Sequence, residues 1–408
     1  MHSPINRDGL LTGRLLRILC LLWLAGVAMR MTLLAVPPVI PLVHEELHLS
    51  ETQVGLLIGL PLAIFAIAAV PGSLLIARVG TVAAVIIGMT IAAIAGAARG
   101  SAVDVWTLYA AAIATGFGIA IMQPGLPTLV REWLPSRIAL GTIAYSAGMV
   151  IGATLPPALT IPFVLPAVGG SWRLAFVLWA VPAILIVPLF YLLSPKRLDR
   201  DRRLADTTIA GRWRPAWRNP LIWLLGFTFG SNNSPFFATN AFLGDYLASR
   251  GQGDILGVTL VWLNGAQIAA LAVIVIMANR LQRRAWPFLL FGPLMLAAFL
   301  TLLLVPSPLA FVASAAAIGV ATAITMTATL ALPPLLSAPG DVAGTAAGMF
   351  TVAYGCAIVI PTICGALWDV TGKPWTAFVP LCICAVTLTV LGTIAVRFRP
   401  AHELRSSR

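Results

Sequence analysis

The stretch from Leu21 to Pro41 reads LLWLAGVAMRMTLLAVPPVIP, an apolar run interrupted by a single charge, Arg30. Roughly 20 residues of helix cross the hydrocarbon of a bilayer, so this run is long enough to span one and places Arg30 within it. An arginine at the centre of a spanning helix costs at least about 2.5 to 3.5 kcal/mol, and such residues face polar cavities and serve function. Arg30 follows Arg17 by 13 positions, about 20 Å of helix, which disfavours snorkelling to that end. Backbone carbonyls, hydroxyls and water remain competing partners for the guanidinium.

Working outward, the whole chain has the same character. Its 408 residues are 59% hydrophobic and only 10% charged, far below the roughly 25% charged of a soluble domain. The composition is that of an all-α integral membrane protein. The net charge of +12 has no soluble domain on which to form a nucleic-acid patch, because the basic residues cluster between apolar runs. Cys20, Cys356, Cys364, Cys382 and Cys384 all fall inside apolar runs and are odd in number, which reads as packing rather than a disulfide framework. The basic N-terminus lacks a short apolar core followed by a small-residue cleavage site, so it reads as a cytoplasmic tail.

Apolar spans are predicted at about 15–41, 54–77, 81–98, 105–130, 139–167 and 172–193, and again at 221–247, 255–278, 286–305, 308–335, 343–367 and 375–396. The expected architecture is twelve transmembrane helices in two pseudo-symmetric six-helix bundles, 1–193 and 221–408, joined by a basic linker at 194–220. With the N-terminus inside, Arg78, Arg131, Arg137, the linker set, Arg280, Arg283, Arg284 and the C-terminal arginines all face the same side. Arg99, Arg173, Arg250 and Lys373 are left on the other, where the first loop is acidic and polar (His44, Glu45, Glu46, His48, Glu51). The positive-inside rule then puts both termini in the cytoplasm, and the bacterial cytoplasmic (inner) membrane is the expected location. The linker reads as a solvated connector. Trp106, Trp133, Trp172, Trp217, Trp223 and Trp375 lie near span ends, as an interfacial belt does.

The two halves repeat at a constant offset of 203: Gly116, Ala120 and Ile121 return as Gly319, Ala323 and Ile324, and Gly141, Thr142, Ala144 and Gly152 as Gly344, Thr345, Ala347 and Gly355. Gly169 and Trp172 return as Gly372 and Trp375, and the same offset puts Arg30 opposite Asn233. Parallel repeats of this kind are the plan of the major facilitator superfamily, whose substrates bind near the midplane between the halves.

All 14 acidic residues and all four histidines fall in predicted loops, tails or helix ends. Arg30 therefore has no evident intramembrane carboxylate, and an anionic substrate is its natural partner. Guanidinium suits the task because it stays charged and offers a planar fork of donors. Asn232 and Asn233 in span seven, Tyr145 in span five, Tyr354 in span eleven and Gln123 in span four complete the candidate substrate site. Each of these is equally at home in an interhelical hydrogen bond, as are Asn240, Asn264 and Gln267. Pro37, Pro38 and Pro41 are expected to end span one, Pro124 and Pro127 to break span four, and Pro156 and Pro157 to kink span five.

The run GFGIAIMQPGLPTLVREWLP at 116–135, with AYSAGMVIGATLPPAL at 144–159 and GGSWRLAFVLWAVPAIL at 169–185, resembles the cyanate and nitroimidazole permease (CynX/NimT) family of that superfamily. The resemblance implies a membrane transporter with an arginine in its first helix, which Arg30 matches. That arginine sits in an Asn-Leu-Arg-Pro setting in the family, whereas Ala28 and Met31 flank it here. The expected function is secondary active or facilitative transport of a small cyanate-like, nitrate-like or carboxylate anion by alternating access. An exporter of neutral nitro-heterocyclic or aromatic drugs is the alternative, and a solute receptor without transport a more distant one. The expected protein is a monomer, and a proton co-transported with the substrate stays open. No nucleophile, base, cofactor motif or metal-ligand spacing points to an enzyme.

Overall fold

A computed structural model describes residues 7–195, 216–281, 284–337 and 341–398. Most of the predicted basic linker lies outside them, as do Arg283, Arg399, Arg405 and Arg408. The described residues form helices α1 (Arg7–Leu34), α2 (Ile40–Leu47), α3 (Glu51–Val79), α4 (Thr81–Ala98), α5 (Val105–Trp133), α6 (Ile138–Leu159), α7 (Leu165–Ala167) and α8 (Trp172–Leu193). After the linker come α9 (Pro220–Ser249), α10 (Leu256–Leu281), α11 (Trp286–Leu304), α12 (Pro308–Leu330), α13 (Leu332–Leu336), α14 (Val342–Thr371) and α15 (Val379–Arg397). Nine stretches among the described residues are long and apolar enough to cross a membrane. The predicted spans at 54–77, 221–247 and 255–278 are helical but fall outside those nine. For α9 the cause is its polar content, Ser231, Asn232, Asn233, Ser234 and Asn240, all of it buried within the protein.

Local chemistry sets the helix ends. Ser50 caps α3 reciprocally with Gln53, and Asp104 caps α5 with Thr107, so the first orphan amides of both helices are satisfied. Asn219 accepts from the amide of Leu221 ahead of α9, whose first residue, Pro220, has no amide hydrogen to satisfy. α1 ends at Leu34, before Pro37 and Pro38, which open a short 3-10 turn. Pro156 and Pro157 lead into a π-helical stretch at Thr160–Val164. Pro124 and Pro127, by contrast, leave α5 continuous, and Thr128 Oγ1 donates to the Pro124 carbonyl at 2.9 Å.

α1 and α6 meet backbone to backbone. A methyl group added at Gly26, Gly148 or Gly152 would overlap the carbonyl oxygens of Tyr145, Trp23 and Val27 respectively, the small-residue packing by which membrane helices approach closely. α3 and α14 meet in the same way at the end that carries the first loop. There a Cβ at Gly55 would strike the Pro361 carbonyl, and one at Gly365 the Glu51 carbonyl. Asp369 near the end of α14 accepts from the amides of Glu51 and Thr52, both at 2.9 Å, and from the Thr52 hydroxyl at 2.5 Å. His44 and Asp245 add a 3.0 Å contact between α2 and α9. The helices before and after the linker are thus closed together at this end. At the opposite end of α3, Leu74 is 58% and Val79 44% exposed.

Two expectations change at the closed end. Arg99, read as a loop charge, is fully buried, with Nη1 donating to the Thr32 carbonyl at 2.8 Å and Nε without a partner. Trp172, read as an interfacial residue, is also buried and donates to Glu46 Oε2 at 2.5 Å, while Arg173 pairs with the same carboxylate. Glu46 of the first loop lies against the start of α8, and Arg99 reaches back to the end of α1, so these span ends become interior.

Candidate functional site

Arg30 lies one turn before the end of α1, and its side chain borders a small cavity of about 30 Å³. The wall is made by α1 (Met29, Arg30, Leu33), α3 (Phe65), α5 (Ile119, Gln123), α6 (Met149), α9 (Asn233, Phe237) and α14 (Tyr354). The cavity therefore lies between helices of the two sequence halves. Its polar atoms are the guanidinium, two amides and a phenol, and none of the lining residues is acidic. Gln123 Nε2 donates to the Tyr354 hydroxyl at 2.8 Å, joining the halves across the space. Tyr354 is held from behind by an edge contact with Phe65 at 5.3 Å and by stacking on Phe350 at 5.9 Å.

The guanidinium carbon of Arg30 sits 5.9 Å from the Phe237 ring centroid, a cation–π distance. Among the described residues no hydrogen bond or ion pair engages this guanidinium. Its five N–H donors therefore have no acceptor committed to them among the described residues. That arrangement suits a compact group rich in acceptors.

Four of the six residues singled out from sequence border the cavity: Arg30, Gln123, Asn233 and Tyr354. Arg30 and Asn233, matched by the 203-residue offset, face the same space. Asn232 points elsewhere: its Nδ2 donates to the Thr322 carbonyl at 3.3 Å and its Oδ1 accepts from Thr325 Oγ1 at 2.6 Å, tying α9 to α12. One residue along a helix turns the side chain by about 100°, which is why neighbours differ. Tyr145 lies along α6 beside α1 and is not among the lining residues. Asn240 and Asn264 pair with each other at 3.0 Å, joining α9 to α10. The apolar wall (Met29, Leu33, Phe65, Ile119, Met149, Phe237) carries no sequence signal that separates it from lipid-facing residues of the same type.

Residues 22–362 match the Major Facilitator Superfamily. The cyanate transport protein CynX of Escherichia coli (strain K12) is 25% identical over 386 residues, covering 93% of this chain and 98% of that protein. The 2-nitroimidazole transporter of the same organism is 26% identical over 238 residues, 57% of this chain and 58% of that one. Among solved structures, a D-xylose–proton symporter superposes with a TM-score of 0.70 at 14% identity, over 94% of this chain and 97% of that one. That superposition shows the fold. An all-helical membrane chain, repeated at a fixed offset and matched over most of its length, belongs to the Major Facilitator Superfamily and is a transporter of small molecules rather than an enzyme.

Proposed function

We propose that this protein carries a small anion across the bacterial cytoplasmic membrane by alternating access, with Arg30 as the anion ligand. The observation that carries the reading is an arginine with no acceptor among the described residues, bordering a small space that Gln123, Asn233 and Tyr354 also line and that no described carboxylate lines. A space of about 30 Å³ is far below the roughly 300 Å³ or more of a drug-sized pocket. It favours a substrate of a few atoms, in keeping with a relative whose name is cyanate transport protein.

In this reading the two bundles, 1–193 and 221–408, rock about the cavity. The first-loop end is the outer one, both termini are cytoplasmic, and the state described is closed outward. An anion neutralises the guanidinium and favours closure on both sides, because a bare buried charge needs water and a paired one does not. Exchange, uniport and symport with a proton are all compatible with it.

The test is thermal unfolding of the purified protein against cyanate, nitrate, nitrite, formate and neutral isosteres. A single class of anion is expected to raise the midpoint progressively with concentration, as linkage requires. Stabilisation by neutral compounds alone would overturn the reading. Tyr354→Phe, which removes one neutral donor and frees Gln123, is expected to weaken anion binding by a factor of about 2 to 12, the equivalent of roughly 0.5 to 1.5 kcal/mol. Isothermal titration checks it.

A second reading, export of a neutral nitro-heterocycle, is favoured by the aromatic share of the wall, Phe65, Phe237 and Tyr354, and by the 2-nitroimidazole transporter among the relatives. It requires the cavity to enlarge several-fold, and the same titration with a nitroimidazole separates the two.

A further inference from the structure

His44, Glu51 and Asp245 are far apart in sequence, and no spacing pattern marks them as a group. The closed end brings one ligand atom of each within 4.8 Å of the others. His44 comes from α2 and Glu51 is the first residue of α3, whereas Asp245 is in the last turns of α9. The cluster therefore straddles the two sequence halves.

Two of its members are explained by their contacts. His44 Nδ1 and Asp245 Oδ2 lie 3.0 Å apart. Nearby Asp369 is also occupied, since its two oxygens accept from the amides of Glu51 and Thr52. Glu51 is not explained. It is only 7% exposed, and its Oε2 is buried without any hydrogen-bond partner. A buried carboxylate oxygen left bare is costly, and such groups in a folded protein call for a missing partner. The Glu51 carboxylate belongs to the same cluster as the imidazole and the second carboxylate.

We propose that His44, Glu51 and Asp245 bind a divalent transition-metal cation of the Zn²⁺ type, and that the ion pins the closed end. One imidazole nitrogen and two carboxylate oxygens are a donor set used by zinc, with a fourth position left for water. Imidazole selects Zn²⁺, Cu²⁺ or Ni²⁺ over Mg²⁺ and Ca²⁺, which require oxygen ligands in larger number. Charge also balances: a neutral imidazole and two carboxylates offset a dication, leaving no buried excess. The ion would take the place of the proton between His44 and Asp245, which passes to solvent, and would supply the buried Glu51 carboxylate with a partner. Ligand bonds of about 2.0 to 2.2 Å in a tetrahedral shell set the ligand atoms roughly 3.4 Å apart, so the Glu51 oxygen draws in by about an ångström while His44 and Asp245 part slightly.

Because Asp245 is on the far side of the seam from His44 and Glu51, parting the halves at this end would strip a ligand from the ion. Binding thus selects the closed-end state. This functional consequence rests on the alternating-access reading, whereas the site itself does not.

The test uses purified full-length protein and ZnCl₂, with MgCl₂ as control, read by isothermal titration and thermal unfolding. The expected result is one saturable Zn²⁺ site per chain and a raised unfolding midpoint, with no comparable response to Mg²⁺. His44→Gln and Glu51→Gln are each expected to weaken Zn²⁺ binding at least tenfold, and His48→Gln, at an exposed neighbouring histidine, to leave it unchanged. X-ray absorption at the zinc edge of the unsubstituted protein is expected to show one imidazole nitrogen among oxygen ligands, a readout that depends on no variant folding. Absence of saturable binding, unaltered binding in both Gln variants, or a zinc shell without imidazole overturns the site. In proteoliposomes, Zn²⁺ on the first-loop side is expected to slow transport reversibly. Zn²⁺ that binds at these residues without slowing transport overturns the pinning while leaving the site.

Discussion

Arg30→Ala is expected to abolish stabilisation by small anions and to weaken their binding by a factor of about 10 to 150. That range is the equivalent of losing roughly 1.5 to 3 kcal/mol, the usual contribution of a hydrogen bond to a charged group. Arg30→Lys keeps the charge but replaces a planar fork of five donors by a point charge with three, so it is expected to bind the same anions more weakly than the native protein. Arg30→Met carries an opposite expectation in the absence of ligand. No acceptor among the described residues engages the guanidinium, so an apolar side chain of similar reach should leave the empty protein as stable or stabilise it by about 1 to 4 kcal/mol. Thermal unfolding of each variant, with and without the best anion, measures both quantities. A structural arginine gives the reverse pattern, destabilised variants whose anion response is intact, and that result would sink the proposal.

The second large effect is expected at Asp369. Its carboxylate accepts three hydrogen bonds from the start of α3, two from main-chain amides. It also lies against the positive end of that helix. Asp369→Ala removes all three and leaves the Glu51 and Thr52 amides to water. Their combined loss, about 2 to 4 kcal/mol once non-additivity is allowed for, would move the equilibrium between closed and open first-loop ends by a factor of about 30 to 1,000. Nitroxide pairs at His48 and Lys373, both exposed at this end, should show a new long-distance component by double electron–electron resonance. A distance distribution identical to that of the similarly labelled parent would mean that the end is held elsewhere.

Much of the fold was legible because hydropathy is a long-range average: runs such as 105–130 and 172–193 need no partner to be read as helices. The same averaging weakens the signal of α9, read as a span at 221–247, because buried asparagines and serines lower the hydropathy of a helix that is almost wholly interior. Arg30 was legible because a charge inside an apolar run stands out. Asn233 was legible because the 203-residue offset pairs it with Arg30. What sequence could not supply was rotation and long-range contact. Nothing in the order of residues says that Asn233 faces the cavity while Asn232 turns to Thr325, or that Arg99 is buried against Thr32. The His44, Glu51 and Asp245 cluster is a still stronger case, since its members reside on three helices and only the closed end assembles them.

The glycine seam between α1 and α6 makes a lever of the two helices. Where backbone touches backbone at Gly26, Gly148 and Gly152 there is no interposed side chain to swing aside and absorb a displacement, and close-packed surfaces of this kind slip by whole steps or not at all. α6 also bears on α10, where Thr154 lies against Gly265. In the proposed alternating-access cycle, a shift of α10 against α6 would reach the turn of α1 that begins at Gly26 and ends at Arg30 through this seam.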